Sequence, residues 1–476
     1  MLDLIVRSDT VVTPGGVGDY EVAIHQEKIV AVGARGTFRN DQAHAVIEAT
    51  GKIVIPGGID PHIHCKWGTP VGTVSAGSEV VSRAALYGGT TTIIDFAVWD
   101  EGLTLQDAIE RREGDFRGQC HCDYAFHVTL HGAVPENVIA QIPETISAGY
   151  PTIKIYTTDV RPARKNWKLH FGDIWEVLQQ LAGNGGLACI HSEDDDLVMH
   201  MYKKLFAQGR GHFSNMAEVH SALSEDLSFR RVIRLAENVE GAALYLMHVS
   251  AAAGVNAIEE SRAKGFPIYG ETLHQFALFT SEDYKRPNGQ IYHTYPSLKT
   301  GADQVALWDA ITRSGALSTM STDGVCTPYS VKIAREQIDD TTGGNVGVEP
   351  RVSVVYTEMV TKRKCTLEHF VDVIAANAAR IMGLYPRKGA ITAGSDADIT
   401  ILDPRSSRKI QKENLHESDY TPWEGYETAV WPSTTILRGK RVVEDAVFLG
   451  TPGGGQNVPR KIASDILSGA ALSRKT

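Results

Sequence analysis

The stretch Pro56-Gly57-Gly58-Ile59-Asp60-Pro61-His62-Ile63-His64 carries an apolar run, residues 53–59, onto two histidines separated by one residue. In an extended strand residues i and i+2 share a face, so His62 and His64 point the same way. The run is apolar at successive positions, as a strand is when helices cover both faces of its sheet. Seven more such runs follow, at residues 90–97, 124–130, 152–157, 187–191, 243–249, 267–272 and 316–322, and most precede a helix-like stretch. Eight buried strands alternating with helices predict an α/β chain built on a (β/α)8 TIM-like barrel. The chemistry of such a barrel lies at the C-terminal ends of its strands.

On either side of this unit the pattern changes. Residues 4–6, 10–13, 22–25, 28–32 and 45–48 are short β-rich pieces between Gly-rich breaks. The same style returns at 397–402, 434–437, 440–443 and 446–449. The expected organisation is a small β-sandwich domain from residues 1–55 plus 389–450, the barrel from 56–388, and a C-terminal arm, 451–476, extended rather than core.

Composition bounds the partners. The 476 residues are 42% hydrophobic and 22% charged, ordinary for a globular enzyme with room for both units. A formal net charge of -10 argues against nucleic acid or an anionic membrane as the partner. No apolar run approaches the roughly 18 residues that span a bilayer. The start, Met1-Leu2-Asp3-Leu4-Ile5-Val6-Arg7, lacks the basic-then-apolar order of a secretory signal. Six cysteines are too few for a disulfide scaffold in a chain of this length and suit a reducing cytoplasm. The spacing in Cys120-His121-Cys122 is too tight for one tetrahedral zinc site, so that triplet reads as structural.

Polar residues close the other strand runs as well. The fourth reads Thr152-Ile153-Lys154-Ile155-Tyr156, which turns Lys154 and Tyr156 inward and both isoleucines toward the helices. A bare ammonium inside a barrel is costly, and burial favours the free amine. That amine can take up carbon dioxide as a carbamate, an anionic ligand on a long stem able to bridge two cations. The fifth run ends on His191, the sixth on His248 and the eighth on Asp323. Four histidines, a lysine and an aspartate at the strand mouths form a candidate binuclear metal site. A carbamate, an aspartate and a bridging hydroxide leave one positive charge of two divalent cations uncompensated. That charge favours an anionic tetrahedral transition state.

With these residues in place the chain resembles the amidohydrolase superfamily, in its hydantoinase, dihydropyrimidinase and allantoinase branch of cyclic amidohydrolases. The Pro56–His64 stretch, Gly88-Gly89-Thr90-Thr91-Thr92-Ile93-Ile94-Asp95-Phe96 and His191-Ser192-Glu193 match in order. So do Gly347-Val348-Glu349, Gly383-Leu384-Tyr385-Pro386-Arg387-Lys388-Gly389, Gly394-Ser395-Asp396-Ala397-Asp398, Trp423-Glu424-Gly425 and Arg438-Gly439-Lys440. The resemblance implies that His62, His64 and Asp323 bind one metal, His191 and His248 the other, and N6-carboxylated Lys154 bridges them. It implies zinc as the commonest metal, Asp323 as proton carrier, and a homo-oligomer, a tetramer or dimer.

The departures fall where substrate would bind. The hydantoinase pattern has a tyrosine, an oxyanion donor, five residues after the lysine; here Asp159 stands there, and Tyr156 is the available replacement. Thr294-Tyr295-Pro296-Ser297-Leu298-Lys299 places Tyr295 where that pattern has a ring-binding serine, with Ser297 beside it. In Gly343-Gly344-Asn345-Val346-Gly347 the usual asparagine is Gly343, and Asn345 is the nearest amide. The loop Arg161-Pro162-Ala163-Arg164-Lys165-Asn166-Trp167-Lys168 is unusually basic and reads as a solvated loop. The expected activity is hydrolysis of a C–N bond in a cyclic amide, imide or ureide, acting on a small molecule through an altered pocket. The alternatives are hydrolysis of a linear amide, a urea or a ring other than hydantoin, and a non-catalytic scaffold like the dihydropyrimidinase-related proteins. Retention of all six ligand positions argues against the scaffold.

Overall fold

The structure is a computed structural model and describes residues 1–473. Eight strands, Gly58–Asp60, Thr90–Val98, Asp123–Thr129, Thr152–Tyr156, Leu187–His191, Leu244–Leu246, Ile268–Leu273 and Leu317–Ser321, pair in chain order in one parallel sheet. The last strand meets the first through a parallel bridge between Ile63 and Gly324, where the His64 N–H donates to the Gly324 carbonyl at 2.8 Å. The barrel therefore closes beside His62 and His64. Every residue of these strands except Val98 is buried, which is the physical reason they read as unbroken apolar runs. The helices cover them with one face each. Phe171–Asn184 buries Ile174, Val177, Leu178 and Leu181 at helical spacing and stops where Gly185 takes φ 81°.

The apolar run 53–59 is two strands rather than one. Ile53–Pro56 pairs with Leu2–Thr13 and with Ile399–Asp403 in a second sheet, and the barrel strand begins only at Gly58. The Gly57 N–H donates to Asp398 and the Gly58 N–H to Gly89, so the chain changes sheets within one residue. A Cβ on Gly57 would meet Thr91 Oγ1 at 2.1 Å, and the crossing is open to glycine alone.

The second sheet has nine strands drawn from both ends of the chain. Pieces 4–6 and 10–13 belong to one strand, Leu2–Thr13, with a register shift between Ser8 and Val11. Val22, Ile24 and Ile29 pack in one core with Ile399, Ile401 and Ile436, although their strands are far apart in the sheet order. The sheet thus curls over and encloses its own core. Lys388 joins it to the barrel: its buried ammonium contacts Asp398 at 2.7 Å, Asp396 at 2.9 Å and Asp123 at the foot of the third barrel strand, where Arg438 also binds. These three carboxylates lie close enough for a cation site, and the ammonium is the cation among them.

The segment expected as an extended arm is anchored to the barrel between Gly455 and Ile466, where Val458, Arg460, Ile462 and Ile466 are buried. Gly455 N–H donates to the Cys120 carbonyl, Val458 N–H to Tyr124, and the buried Arg460 side chain donates to Thr152 Oγ1. Val458, Ile462 and Ile466, four residues apart, pack with Leu187, Tyr245 and Tyr269 from inside the barrel. The six cysteines are free, and Cys120 Sγ donates to the Cys122 carbonyl in the core. Among the described residues no helix is long and apolar enough to cross a membrane.

Candidate metal centre and pocket

The strand mouths open into a cavity of about 470 Å³ whose lining includes His62, His64, Lys154, His191, His248 and Asp323. All six side chains are buried. The imidazoles form an arc: ring centres are 5.3 Å apart for His64 and His62, 5.5 Å for His62 and His248, and 4.4 Å for His248 and His191. Asp323 Oδ1 lies 3.0 Å from His62 Nε2 and 3.1 Å from His64 Nε2. Two of these residues hold strained backbone, His248 at φ 43° and Asp323 at φ 48°. Left-handed backbone costs a non-glycine residue about 1–3 kcal/mol, and such strain gathers at functional sites.

Hydrogen bonds behind the arc fix it. Glu271 Oε1 binds His62 Nδ1 at 2.7 Å and accepts the His248 backbone N–H at 3.1 Å, while its second oxygen accepts from Tyr245. His62 is thereby left with Nε2 facing the cavity. Glu193 engages His191 Nε2 at 3.0 Å, which frees Nδ1. Asp60 accepts from Thr322 Oγ1 at 2.6 Å and ties the eighth strand to the first. Partners of this kind set the tautomer and direction of a metal-binding imidazole.

The charges are arranged for cations. Burial pulls His64 and His191 down to about 4, so both are neutral donors near pH 7. Burial also acts on His62, but Glu271 and Asp323 outweigh it and hold that ring at about 9. Burial would raise Asp323; His62 and His64 instead keep it well below the carboxylate range. Lys154 is lowered to about 8 by burial, against the pull of Asp323 and Glu271.

The donor set fits a metal pair. One atom from each of His62, His64 and Asp323 lies within 4.8 Å of the others, and a cation between them would take the place of the shared protons. The Lys154 ammonium has a thioether for a hydrogen-bond acceptor, Met247 Sδ at 2.9 Å, and the ring faces of Phe96 at 5.4 Å and Tyr156 at 4.8 Å. A carbamate at this Nζ would supply the anion that two cations require.

Of the expected substrate residues, Tyr156, Tyr295 and Gly343 line the cavity. Tyr156 stacks on His191 with ring centres 5.2 Å apart. Ser297 is turned elsewhere, its Oγ donating to the His220 carbonyl at 3.0 Å. Asn345 is fully buried outside the lining, and both its amide atoms lack partners. Asp159 also faces away, its Oδ1 accepting the backbone N–H groups of Trp167 at 2.7 Å and Lys168 at 3.0 Å. The basic loop is not simply solvated, for Arg161, Arg164 and Trp167 line the cavity opposite Trp67. Glu271, Glu193 and Asp60 were not singled out by sequence; the available signal was an acidic residue inside an apolar run for Glu271 and Asp60, and there was none of that kind for Glu193, which lies in a polar stretch.

A parallel eight-stranded barrel with nitrogen and carboxylate donors converging at its mouth defines a metal-dependent hydrolase barrel. The model of the amidohydrolase family matches residues 53–442. A D-hydantoinase of Geobacillus stearothermophilus is 32% identical over 464 residues, spanning 96% of both chains. The crystal structure of dihydropyrimidinase from Brevibacillus agri NCHU1002 superposes with a TM-score of 0.91 at 30% identity, over 97% of this chain and 100% of that one. The L-hydantoinase of Arthrobacter aurescens gives 0.85 at 25% identity, over 97% and 100%. The chain belongs to the amidohydrolase family, in its hydantoinase and dihydropyrimidinase branch.

Proposed function

We propose that this protein hydrolyses the C–N bond of a cyclic amide, imide or ureide with two divalent metal ions, zinc by preference. The observation that carries this reading is the arc of four buried imidazoles closed by Asp323 and Lys154 at the base of one cavity. His62, His64 and Asp323 would hold one ion, His191 and His248 the other, and Lys154, carboxylated at Nζ, would bridge them. When bound, the pair supplies Lewis acidity and an activated water.

The remaining steps belong to the protein. Asp323 takes the proton of the attacking water and returns it to the departing ring nitrogen. Tyr156 offers its hydroxyl to the carbonyl oxygen as negative charge develops; burial raises its pKa, against the opposing charge of Arg164, and keeps it a donor. Tyr295 and Gly343 shape the wall against which the ring rests.

Metal analysis of protein grown in zinc should give two ions per chain, with ring opening by the same preparation in a panel of hydantoins, dihydropyrimidines, imides and ureides. Full activity without metal would overturn the reading. We further propose a homo-oligomer, a tetramer or dimer, in a reducing cytoplasm. Trp175, Leu223, Leu227 and Val305 on outer helices are exposed apolar residues an interface would cover, and the six thiols are unpaired. A monomer mass by light scattering at micromolar concentration would contradict the oligomer.

A further inference from the structure

The cavity lining contains one carboxylate, Asp323, already placed between His62 and His64, and two arginines, Arg161 and Arg164. The Arg164 guanidinium lies among three rings, its carbon 3.6 Å from the centre of Trp167, 4.8 Å from Tyr156 and 5.2 Å from Trp67. Ring faces orient the guanidinium plane and offset its burial, but they do not saturate its N–H edge. Arg164 Nη2 is buried with no hydrogen-bond partner; the guanidinium's side-chain hydrogen bond is to the Tyr156 hydroxyl, and Asp159, whose charge it feels, forms no ion pair with it. A buried donor left unmet is costly, and the guanidinium fork matches a carboxylate with two parallel hydrogen bonds.

The loop that presents Arg164 is built without a ligand. Asp159 accepts from Trp167, Lys168 and, through its carbonyl, from the Arg161 N–H at 2.7 Å. Asp195 Oδ1 in turn accepts from the Asp159 N–H at 3.0 Å and Thr158 Oγ1 at 3.1 Å. Arg164 is therefore held in advance of binding, which lowers the ordering cost. The guanidinium carbon and Lys154 Nζ each lie 4.8 Å from the centre of the Tyr156 ring. Their separation is at most the sum of those distances, so Arg164 stands near the strand mouths in the same cavity of about 470 Å³.

We propose that the substrate is a cyclic amide, imide or ureide bearing a carboxylate substituent, and that Arg164 is the residue that binds this carboxylate. The inference rests on the reading of the metal centre given above. Arg161, in the same wall, adds to the positive field without being required for the fork.

The test compares hydantoin-5-acetate with its neutral isostere, hydantoin-5-acetamide, on zinc-loaded protein. The acid should be preferred in kcat/KM by about 100-fold or more, the scale of a desolvated charge-assisted pair. Arg164→Met, which keeps the stem among the rings, should bring that ratio close to one, and Arg164→Lys should leave it intermediate. Added salt should raise KM for the acid more than for the amide. A wild-type ratio near one would overturn the proposal, as would an Arg164→Met variant that lowers both substrates equally. If Arg164→Met does not fold, the wild-type ratio and Arg164→Lys decide. Turnover of the amide without preference for the acid sinks this inference alone; failure to open either ring with both metals bound sinks the reading of the metal centre as well.

Discussion

The ring of Tyr295 occupies the space in which a side chain at position 343 would begin. A Cβ on Gly343 would lie 2.2 Å from both Cδ2 and Cε2 of Tyr295, closer than atoms can approach. Both positions depart from the hydantoinase pattern, which has a serine and an asparagine there, and the contact couples the two departures. The ring of Tyr295 fits in the pocket wall because position 343 carries no side chain.

Gly343→Asn alone should therefore force Tyr295 out of place. Overpacking of this kind costs about 1–3 kcal/mol, read as a lower Tm, with a parallel fall in kcat/KM. Joined to Tyr295→Ser, the same substitution should be nearly neutral in stability and move preference toward simple hydantoins. A double-mutant cycle measures the coupling, and additive effects of the two changes would refute the contact.

Much of the architecture was legible because strands buried on both faces write themselves as continuous apolar runs. The same rule hid the change of sheet at Gly57, since Ile53–Pro56 and Gly58–Asp60 are both buried and apolarity does not say in which sheet. The tail misled for the opposite reason. The glycines of Thr451-Pro452-Gly453-Gly454-Gly455 read as an extended arm, whereas Val458, Ile462 and Ile466 beyond them supply a plug at four-residue spacing. The proposed metal ligands were legible because the histidines and the aspartate follow apolar strand runs and Lys154 interrupts one from within. Their supports were not: Glu271 meets His62 across 209 residues of sequence, a contact that only the closed barrel creates.

Lys154→Ala should lose both metal and activity, because it removes the proposed carbamate bridge. Short-chain carboxylic acids should restore part of each by filling the space of the carbamate. Wild-type density with two metals beside an unmodified Lys154 would refute the bridge.

Asp323→Asn should keep most of the metal, since the amide oxygen still offers a lone pair, yet lose about 10²–10⁴-fold in kcat with the proton carrier gone. Activity close to wild type would make Asp323 a ligand only.

Lys388→Met tests a different part of the molecule. It leaves Asp123, Asp396 and Asp398 facing one another without their ammonium, and breaking a buried pair on one side costs about 3–5 kcal/mol. The variant should melt well below wild type while the folded fraction retains its full metal content. An unchanged Tm would show that the cluster does not join the two sheets.

Small neutral rings should be poor substrates. A hydantoin or dihydrouracil presents donors and acceptors that need matched partners, and each one unmet costs about 1–3 kcal/mol. The side chain at position 159 cannot help, because Asp159 is committed to the loop carrying Arg164 and Trp167. Tyr295 replaces a small hydroxyl side chain with a large ring whose hydroxyl is turned toward the Thr341 carbonyl, and Gly343 removes an amide from the wall. Tyr156, stacked on His191 and facing Arg164, is the hydroxyl proposed for the carbonyl oxygen. As proposed it would stabilise the developing oxyanion, but it would not replace contacts to the rest of a neutral ring. Values of kcat/KM for hydantoin, dihydrouracil and phenylhydantoin should fall below about 10⁴ M⁻¹s⁻¹, the lower range of an enzyme on its own substrate. Tyr156→Phe should reduce kcat for every ring that is opened, with little change in KM, because the hydroxyl is used in the transition state rather than in binding. Rapid turnover of neutral hydantoin that survives Tyr156→Phe would show that the metals alone polarise the carbonyl and that the pocket wall does not select the ring.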